Sequence, residues 1–156
     1  MSNSASSNGI TIRQAVLADL EQLAHLFDQY RQFYGNTSDV QGALAFLTER
    51  FNHGESVLFI AHDGADALGF TQMYPSFSSG SMARIFVFND LFVNEAARRR
   101  GVARSLIEAS ADFARQCGAK RLTLSTARTN SSAQALYRSM GWELDEVYLD
   151  FQLGLR

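Results

Sequence analysis

Asp90-Leu-Phe-Val-Asn-Glu-Ala-Ala-Arg-Arg-Arg-Gly-Val-Ala-Arg-Ser-Leu-Ile-Glu-Ala109 runs from an apolar, strand-like segment through a short Arg/Gly loop into an amphipathic helix. A glycine at the mouth of a helix lets backbone N–H groups approach an anion closely, and the helix dipole favours negative charge there. Arginines beside it add charge and a fork of donors suited to phosphate. The loop Arg98, Arg99, Arg100, Gly101, Val102, Ala103 and Arg104 therefore reads as a pyrophosphate cradle. Neither common nucleotide loop fits it. Gly101-Val102-Ala103 offers no Walker-type lysine, and a dinucleotide loop needs three spaced glycines after the first strand. On position alone, a solvated arginine cluster stays the alternative, although positive charge at a helix start is unfavourable without an anion.

Upstream, Ile10 to Arg13 alternates as a short strand. Leu20, Leu23, Phe27, Tyr30 and Tyr34 recur at helical spacing, predicting a helix from about Leu17 to Tyr34 that ends at Gly35-Asn36. A second helix, capped near Ser38 or Asp39, turns Ala43, Phe46, Leu47 and Phe51 inward and closes at Gly54. Strands follow at Ser56 to His62, Ala67 to Tyr74 and Met82 to Val93, with Pro75 terminating the middle one. Downstream of the loop, a helix over Gly101 to Cys117 carries Val102, Leu106, Phe113 and Cys117 on its apolar stripe. Arg121 to Thr126 reads as a buried strand, Ser131 to Met140 as a helix stopped by Gly141, and Trp142 to Leu155 as one or two last strands. An antiparallel run followed by alternation with helices predicts an α/β protein with a mixed sheet and helices on both faces.

The 156 residues suit one domain, residues 10–156, behind an unstructured Ser/Asn-rich tail, Met1 to Gly9. Apolar residues make up 46% and charged residues 19%, ordinary for a globular chain. A net charge of −2 argues against nucleic acid or an anionic membrane as partner, and no apolar run reaches spanning length. A cytoplasmic location is the expectation. The single cysteine, Cys117, excludes an internal disulfide and reads as core packing. His25, His53 and His62 have no metal-ligand spacing, so no metal is expected.

Two motifs give these segments a family likeness. Arg98-Arg99-Arg100-Gly101-Val102-Ala103 resembles the Arg/Gln-x-x-Gly-x-Gly/Ala signature of the GCN5-related N-acetyltransferases, the GNAT superfamily. Asn130-Ser-Ser-Ala-Gln-Ala-Leu-Tyr-Arg-Ser-Met-Gly-Trp142 resembles the second motif of that family, about thirty residues on. The likeness reaches back to Ile12-Arg13-Gln14-Ala15…Asp19 and covers the chain from Ile10 to near its end. The strand Ile85 to Val93 is similar to its counterpart in polyamine-, thialysine- and histone-type members.

The resemblance implies a mostly antiparallel sheet with a splayed β4/β5 pair. Acetyl-CoA would lie at the splay, its pantetheine arm on backbone groups of Leu91, Phe92 and Val93 and its pyrophosphate in the Arg98 to Arg104 loop, with Asn130 and Ala133 beside it. Tyr137 would be the general acid that gives a proton to the departing thiolate. Relatives often carry Glu-Asp where this chain has Asn89-Asp90; Asn89 can orient an amine but is no base, so Asp90 is the nearest carboxylate, with solvent as the alternative acceptor of the proton. Tyr30, Phe33, Tyr34 and Tyr74 occupy positions that usually face the acceptor, where a cationic amine could lie against aromatic rings; plain core packing is the other reading of these rings. The implied activity is acetyl transfer to a primary amine of a small molecule or peptide by direct attack in a ternary complex, in a protein that relatives suggest is a homodimer. A non-catalytic acyl-CoA-binding regulatory protein and an anion- or nucleic-acid-binding module are the alternatives.

Overall fold

The computed structural model describes residues 9–156; the expected tail lies outside the described residues except for Gly9. Two units are present, one ending at Ser125 and the other spanning Thr126–Arg156. In the first, β1 (Ile10–Gln14), β2 (Val57–Asp63), β3 (Asp66–Ser78), β4 (Ala83–Val93) and β5 (Leu122–Thr123) stand side by side in chain order. The first four are antiparallel neighbours and β5 runs parallel to β4. A parallel neighbour requires a crossover, which α3 (Val102–Gln116) supplies. α1 (Leu20–Phe33) and α2 (Val40–Asn52) fill the β1–β2 connection. The mixed α/β sheet matches the sequence-based expectation.

The aromatic contacts show which helix covers which face. Phe27 and Tyr30 of α1 meet the Phe70 ring edge-on at 6.2 and 6.1 Å, and Tyr30 meets Phe92 at 6.4 Å. On the opposite face Phe113 of α3 meets Phe59 at 5.8 Å and Phe86 at 6.0 Å. Leu23, Leu47 and Phe70 are fully buried in the α1–α2 core, each contributing roughly 1.5–3 kcal/mol of burial free energy. Polar contacts fix the angle between the two helices. Buried Asp28 accepts hydrogen bonds from the Asp39 N–H at 2.7 Å, the Ser38 hydroxyl at 2.8 Å and the Gln32 amide at 2.9 Å. These donors hold its carboxyl below the usual range, led by the Asp39 N–H. Asp39 in turn caps α2 by accepting from Gly42 N–H at 2.8 Å. Asp19 accepts from Arg13 at 2.7 and 2.9 Å and from Val16 N–H, pinning β1 to the start of the helical connection.

β4 carries one residue more than β3 across the site. Gln72 pairs with Asp90 and Met73 with Phe88, so Asn89 has no partner and forms a bulge. Side chains alternate along a strand, and one extra residue reverses the alternation. Phe86 consequently faces α3 while Asp90 and Phe92, further along the same strand, face α1.

Four expectations are corrected. β3 does not stop at Pro75 but continues to Ser78, with Pro75 opposite Phe86. Pairing of β3 with β2 ends at Val57–Met73, so one edge of β3 is already without a partner at Pro75, where a proline is tolerated. Cys117 is exposed: it is the C-cap of α3, beyond the buried stripe of Val102, Leu106, Ser110 and Ala114. In the second unit α4 (Ser131–Ser139) forms as expected, but Trp142 to Leu155 forms no strand. Val147, Leu149, Phe151, Leu153 and Leu155 alternate as in a strand yet are 80–90% exposed, because no second extended segment in that unit offers ladder bonds. The expected strand at Arg121 to Thr126 shrinks to Leu122–Thr123.

Close approach of β3 and β4 depends on Gly69, where an added Cβ would lie 2.6 Å from the Phe92 carbonyl oxygen and 3.2 Å from Val93 Cα. Backbone cannot yield as a side chain tip would. Gly69→Ala is therefore expected to lower unfolding stability by about 1–3 kcal/mol in urea titrations, the range for forcing atoms into a packed core.

Candidate active site

Asp90 is 3% exposed, and three elements converge on its carboxylate. Gln72 of β3 donates to Oδ2 at 2.8 Å, the side chain of Asn89 donates to Oδ1 at 3.1 Å, and the Tyr30 hydroxyl of α1 donates as well. The bulge brings Asp90 onto the α1 face, where these donors lie. Burial pushes the Asp90 carboxyl above the usual range, and the hydrogen bonds from Gln72, Tyr30 and Asn89 draw it part of the way back. Tyr30 is pushed far up, first by burial and then by Asp90, so it stays a phenol and a donor. Tyr74, on the same face, is raised to about 12 by the same two causes.

Of the expected acceptor residues, Tyr30, Tyr74 and Asn89 gather around Asp90. Tyr34 packs on Tyr30 with ring centres 5.0 Å apart, and Phe33 lies on Tyr34 at 5.2 Å. Both outer rings are exposed, Phe33 at 61% and Tyr34 at 49%, forming an aromatic wall open to solvent. Gln72 is the member that sequence reasoning missed. It is fully buried, and Thr71-Gln72 is a polar interruption in the run Leu68 to Met73. Such an interruption in a buried strand was the available signal.

The cradle forms just beyond the same end of β4. Pairing with β5 covers only Phe86 and Val87, so among the described residues Leu91, Phe92 and Val93 have no strand on their outer edge. Asn94 closes the strand: its backbone N–H donates to Leu68, its side-chain amide donates to Ala67, and its side-chain oxygen accepts from Ala97 N–H. Arg98 donates to the Val93 carbonyl at 3.2 Å. Arg99 and Gly101 both have positive φ, +65° and +77°, which turns successive N–H groups into a concave nest. Nothing lies within 4 Å of the position a Gly101 Cβ would take, and no side chain caps the first turn of α3. The leading N–H groups of α3, on Val102 and Ala103, point out of the helix as the start of any helix leaves them, toward where an anion would sit. Arg100 is paired with Asp63 at 3.0 Å. The residues present fit a pyrophosphate.

In the second unit Asn130 caps α4 by accepting from Ala133 N–H at 3.2 Å. The helix ends in a Schellman motif: Trp142 N–H donates to the Tyr137 carbonyl at 3.0 Å and Gly141 N–H to Arg138 at 3.1 Å, with Gly141 at φ +89°. That turn sets the Trp142 ring 5.7 Å from the Tyr137 ring. The Gly-Trp end of the second motif thus orients the helix face that carries Tyr137.

A raised carboxyl in the folded state means that holding Asp90 ionised destabilises the fold above the ordinary carboxylate range. Asp90→Asn is expected to raise Tm at pH 8, and the gap should close as pH falls through the folded value of Asp90 and vanish near pH ~4, its unfolded value. A pH series of thermal melts checks this, and a lower Tm at pH 8 would contradict it.

The family model for the acetyltransferase (GNAT) family matches residues 20–142. The uncharacterized N-acetyltransferase YhfO of Bacillus subtilis is 47% identical over 146 residues, covering 94% of this chain and 98% of that protein. A probable acetyltransferase of Haemophilus influenzae is 35% identical over 138 residues, 88% of this chain and 92% of that one. The crystal structure of a probable acetyltransferase, 39% identical, superposes with a TM-score of 0.88 over 93% of this chain and 97% of its own. With a family match over most of the chain, and relatives alike from end to end in sequence and in fold, this protein belongs to the GNAT family of acetyltransferases and is an enzyme that draws its acetyl group from acetyl-CoA.

Proposed function

We propose that the chain acetylates a primary amine of a small molecule or peptide by direct attack in a ternary complex, within one acetyltransferase domain over residues 10–156. The observation that carries this reading is the buried Asp90 carboxylate behind an aromatic wall. An amine arrives as an ammonium, which a carboxylate attracts and aromatic faces tolerate. It must lose a proton before it can attack. Asp90 takes that proton: the N–H bond breaks, an O–H bond forms on the carboxylate, and the electron pair stays on nitrogen. Its elevated carboxyl makes it a stronger base than a surface aspartate. Tyr30, Phe33, Tyr34, Tyr74 and Asn89 shape the acceptor site around it.

Acetyl-CoA supplies an activated acetyl carbon and a thiolate leaving group. Leu91, Phe92 and Val93 would hold its arm with backbone groups, and Arg98, Arg99, Arg100, Gly101, Val102, Ala103 and Arg104 its pyrophosphate. Asn130 and Ala133, already joined in the α4 cap, would lie beside it. Tyr137 is the proposed donor of a proton to sulfur; support comes from its place in the second motif and the ordered turn beneath it. A cytoplasmic site of action is part of the same reading, supported by a lone exposed cysteine that suits a reducing compartment. A homodimer is proposed, supported by the exposure of Val147, Leu149, Phe151, Leu153 and Leu155, since exposed apolar side chains in a row suit an interaction surface. Light scattering at micromolar concentration should return twice the chain mass; a monomer would refute it.

Thiol release from acetyl-CoA, measured with spermidine, lysine, kanamycin and a lysine-bearing peptide, tests the activity. At least one amine should give turnover that Asp90→Asn lowers on the order of 100-fold and Tyr137→Phe by at least tenfold, the scale of acid–base contributions. Turnover unaffected by both would remove these roles, and no turnover with any amine would remove the substrate class. Gly101→Glu should abolish CoA binding in calorimetry, since it places bulk and negative charge in the nest.

A further inference from the structure

Gln72 is fully buried, donates through Nε2 to Asp90 Oδ2 at 2.8 Å, and leaves its own Oε1 buried with no hydrogen-bond partner. A buried acceptor left empty is unfavourable, and native proteins retain few of them. The reaction proposed above asks two things of the surroundings of Asp90. A base buried from water must be held while ionised, when it only accepts hydrogen bonds, and again once protonated, when it also has one to donate. Tyr30 and Asn89 serve the ionised form as donors.

We propose that Gln72 is the positioning residue of Asp90: its amide holds the carboxylate through Nε2 and, turned over about its last torsion, holds the protonated carboxyl through Oε1. That torsion is broad and roughly two-fold, so the turn exchanges N and O in place without repacking the chain. The unpartnered Oε1 is then an acceptor kept for the proton that Asp90 takes from the amine. Proton and electrons balance within the pair: the amine N–H bond breaks, the Asp90 O–H bond forms, and the new hydroxyl donates to Oε1. The inference rests on Asp90 being the proton acceptor.

Among the described residues, the titratable and polar groups acting on Asp90 or on its neighbours come from four elements: α1 presents Tyr30, with Tyr34 beside it, β3 presents Gln72 and Tyr74, β4 presents Asn89, and α2 brings Arg50 within electrostatic reach of Tyr74. Tyr30 and Tyr74 are both pushed up and keep their protons, which leaves Asp90 as the group in this cluster that changes charge first as pH rises. Replacing Gln72 by Met keeps the length and removes both donor and acceptor. The bond to the charged form is the stronger of the two, so its loss dominates and the Asp90 midpoint should rise.

The test follows the acid limb of kcat/KM with whichever of the four panel amines releases thiol fastest, together with the Asp90 carboxyl 13C resonance of the full chain. Gln72→Met should move both midpoints up by about one pH unit, a roughly tenfold loss of kcat/KM at a fixed pH on the limb. Well above both midpoints kcat/KM should return to within about twofold of wild type. In the wild-type chain, with no substitution, the Gln72 side-chain amide 15N resonance should titrate with the Asp90 midpoint. An unmoved or lowered midpoint, an equal loss at every pH, or a Gln72 amide that ignores pH overturns the role of Gln72. If instead Asp90→Asn leaves the acid limb in place, the reading of Asp90 itself fails, whatever Gln72 does.

Discussion

A strand paired to its neighbour without interruption shows alternate side chains to the same helix from end to end. β4 does not, because Asn89 has no partner opposite Gln72 and Met73. The single unpaired residue lets Phe86 pack beneath Phe113 of α3 and, a few positions on, lets Phe92 and Asp90 face Tyr30 of α1. A two-sided sheet and a polar cluster at its centre thus arise from one register shift. Without it, Asp90 would face α3, turned away from the Tyr30 hydroxyl and the Gln72 amide that receive it, and a buried carboxylate short of partners is among the most unfavourable arrangements a core can hold.

Two buried carboxylates on the α1 side are treated in opposite ways. Asp28 accepts from a backbone N–H, a hydroxyl and an amide, and these outweigh its desolvation. Asp90 also has three donors, yet desolvation prevails. Asp28 joins two helices and supports the fold as an ion. Asp90 joins nothing of comparable extent and is held in a state that weakens the fold. Proteins keep such groups where function needs a reactive state, and stability elsewhere in the domain offsets them. In the first unit that offset comes from the apolar core between α1, α2 and the sheet, around Leu23, Leu47 and Phe70.

Much of this was legible in the sequence because it is local. Asp39 and Asn130 cap helices, glycines follow the last turns, and the Arg/Gly loop precedes α3, all readable within a few residues. The arginine loop and the Asn130 to Trp142 segment carried the family likeness for the same reason. What escaped depends on pairing across distance. The bulge at Asn89 exists only in relation to β3, and Gln72 acquires meaning only from Asp90, eighteen positions away. Pro75 looked like a strand end because its neighbours on the β2 side could not be counted from the sequence. Trp142 to Leu155 has the alternation of a strand without a neighbour to pair with in its unit, and alternation alone cannot supply ladder bonds.

The Arg100–Asp63 pair alters how the cradle should be thought of. Four arginines crowd the start of α3, where the helix dipole already disfavours cations, and Asp63 at the end of β2 acts as a resident counter-ion. Binding of an anion there is an ion exchange rather than simple attraction: the incoming charge competes with a carboxylate that the fold itself supplies. The loop is consequently less electropositive than its arginine count implies, so the shape of the backbone turn bears on anion binding there as much as bulk charge does.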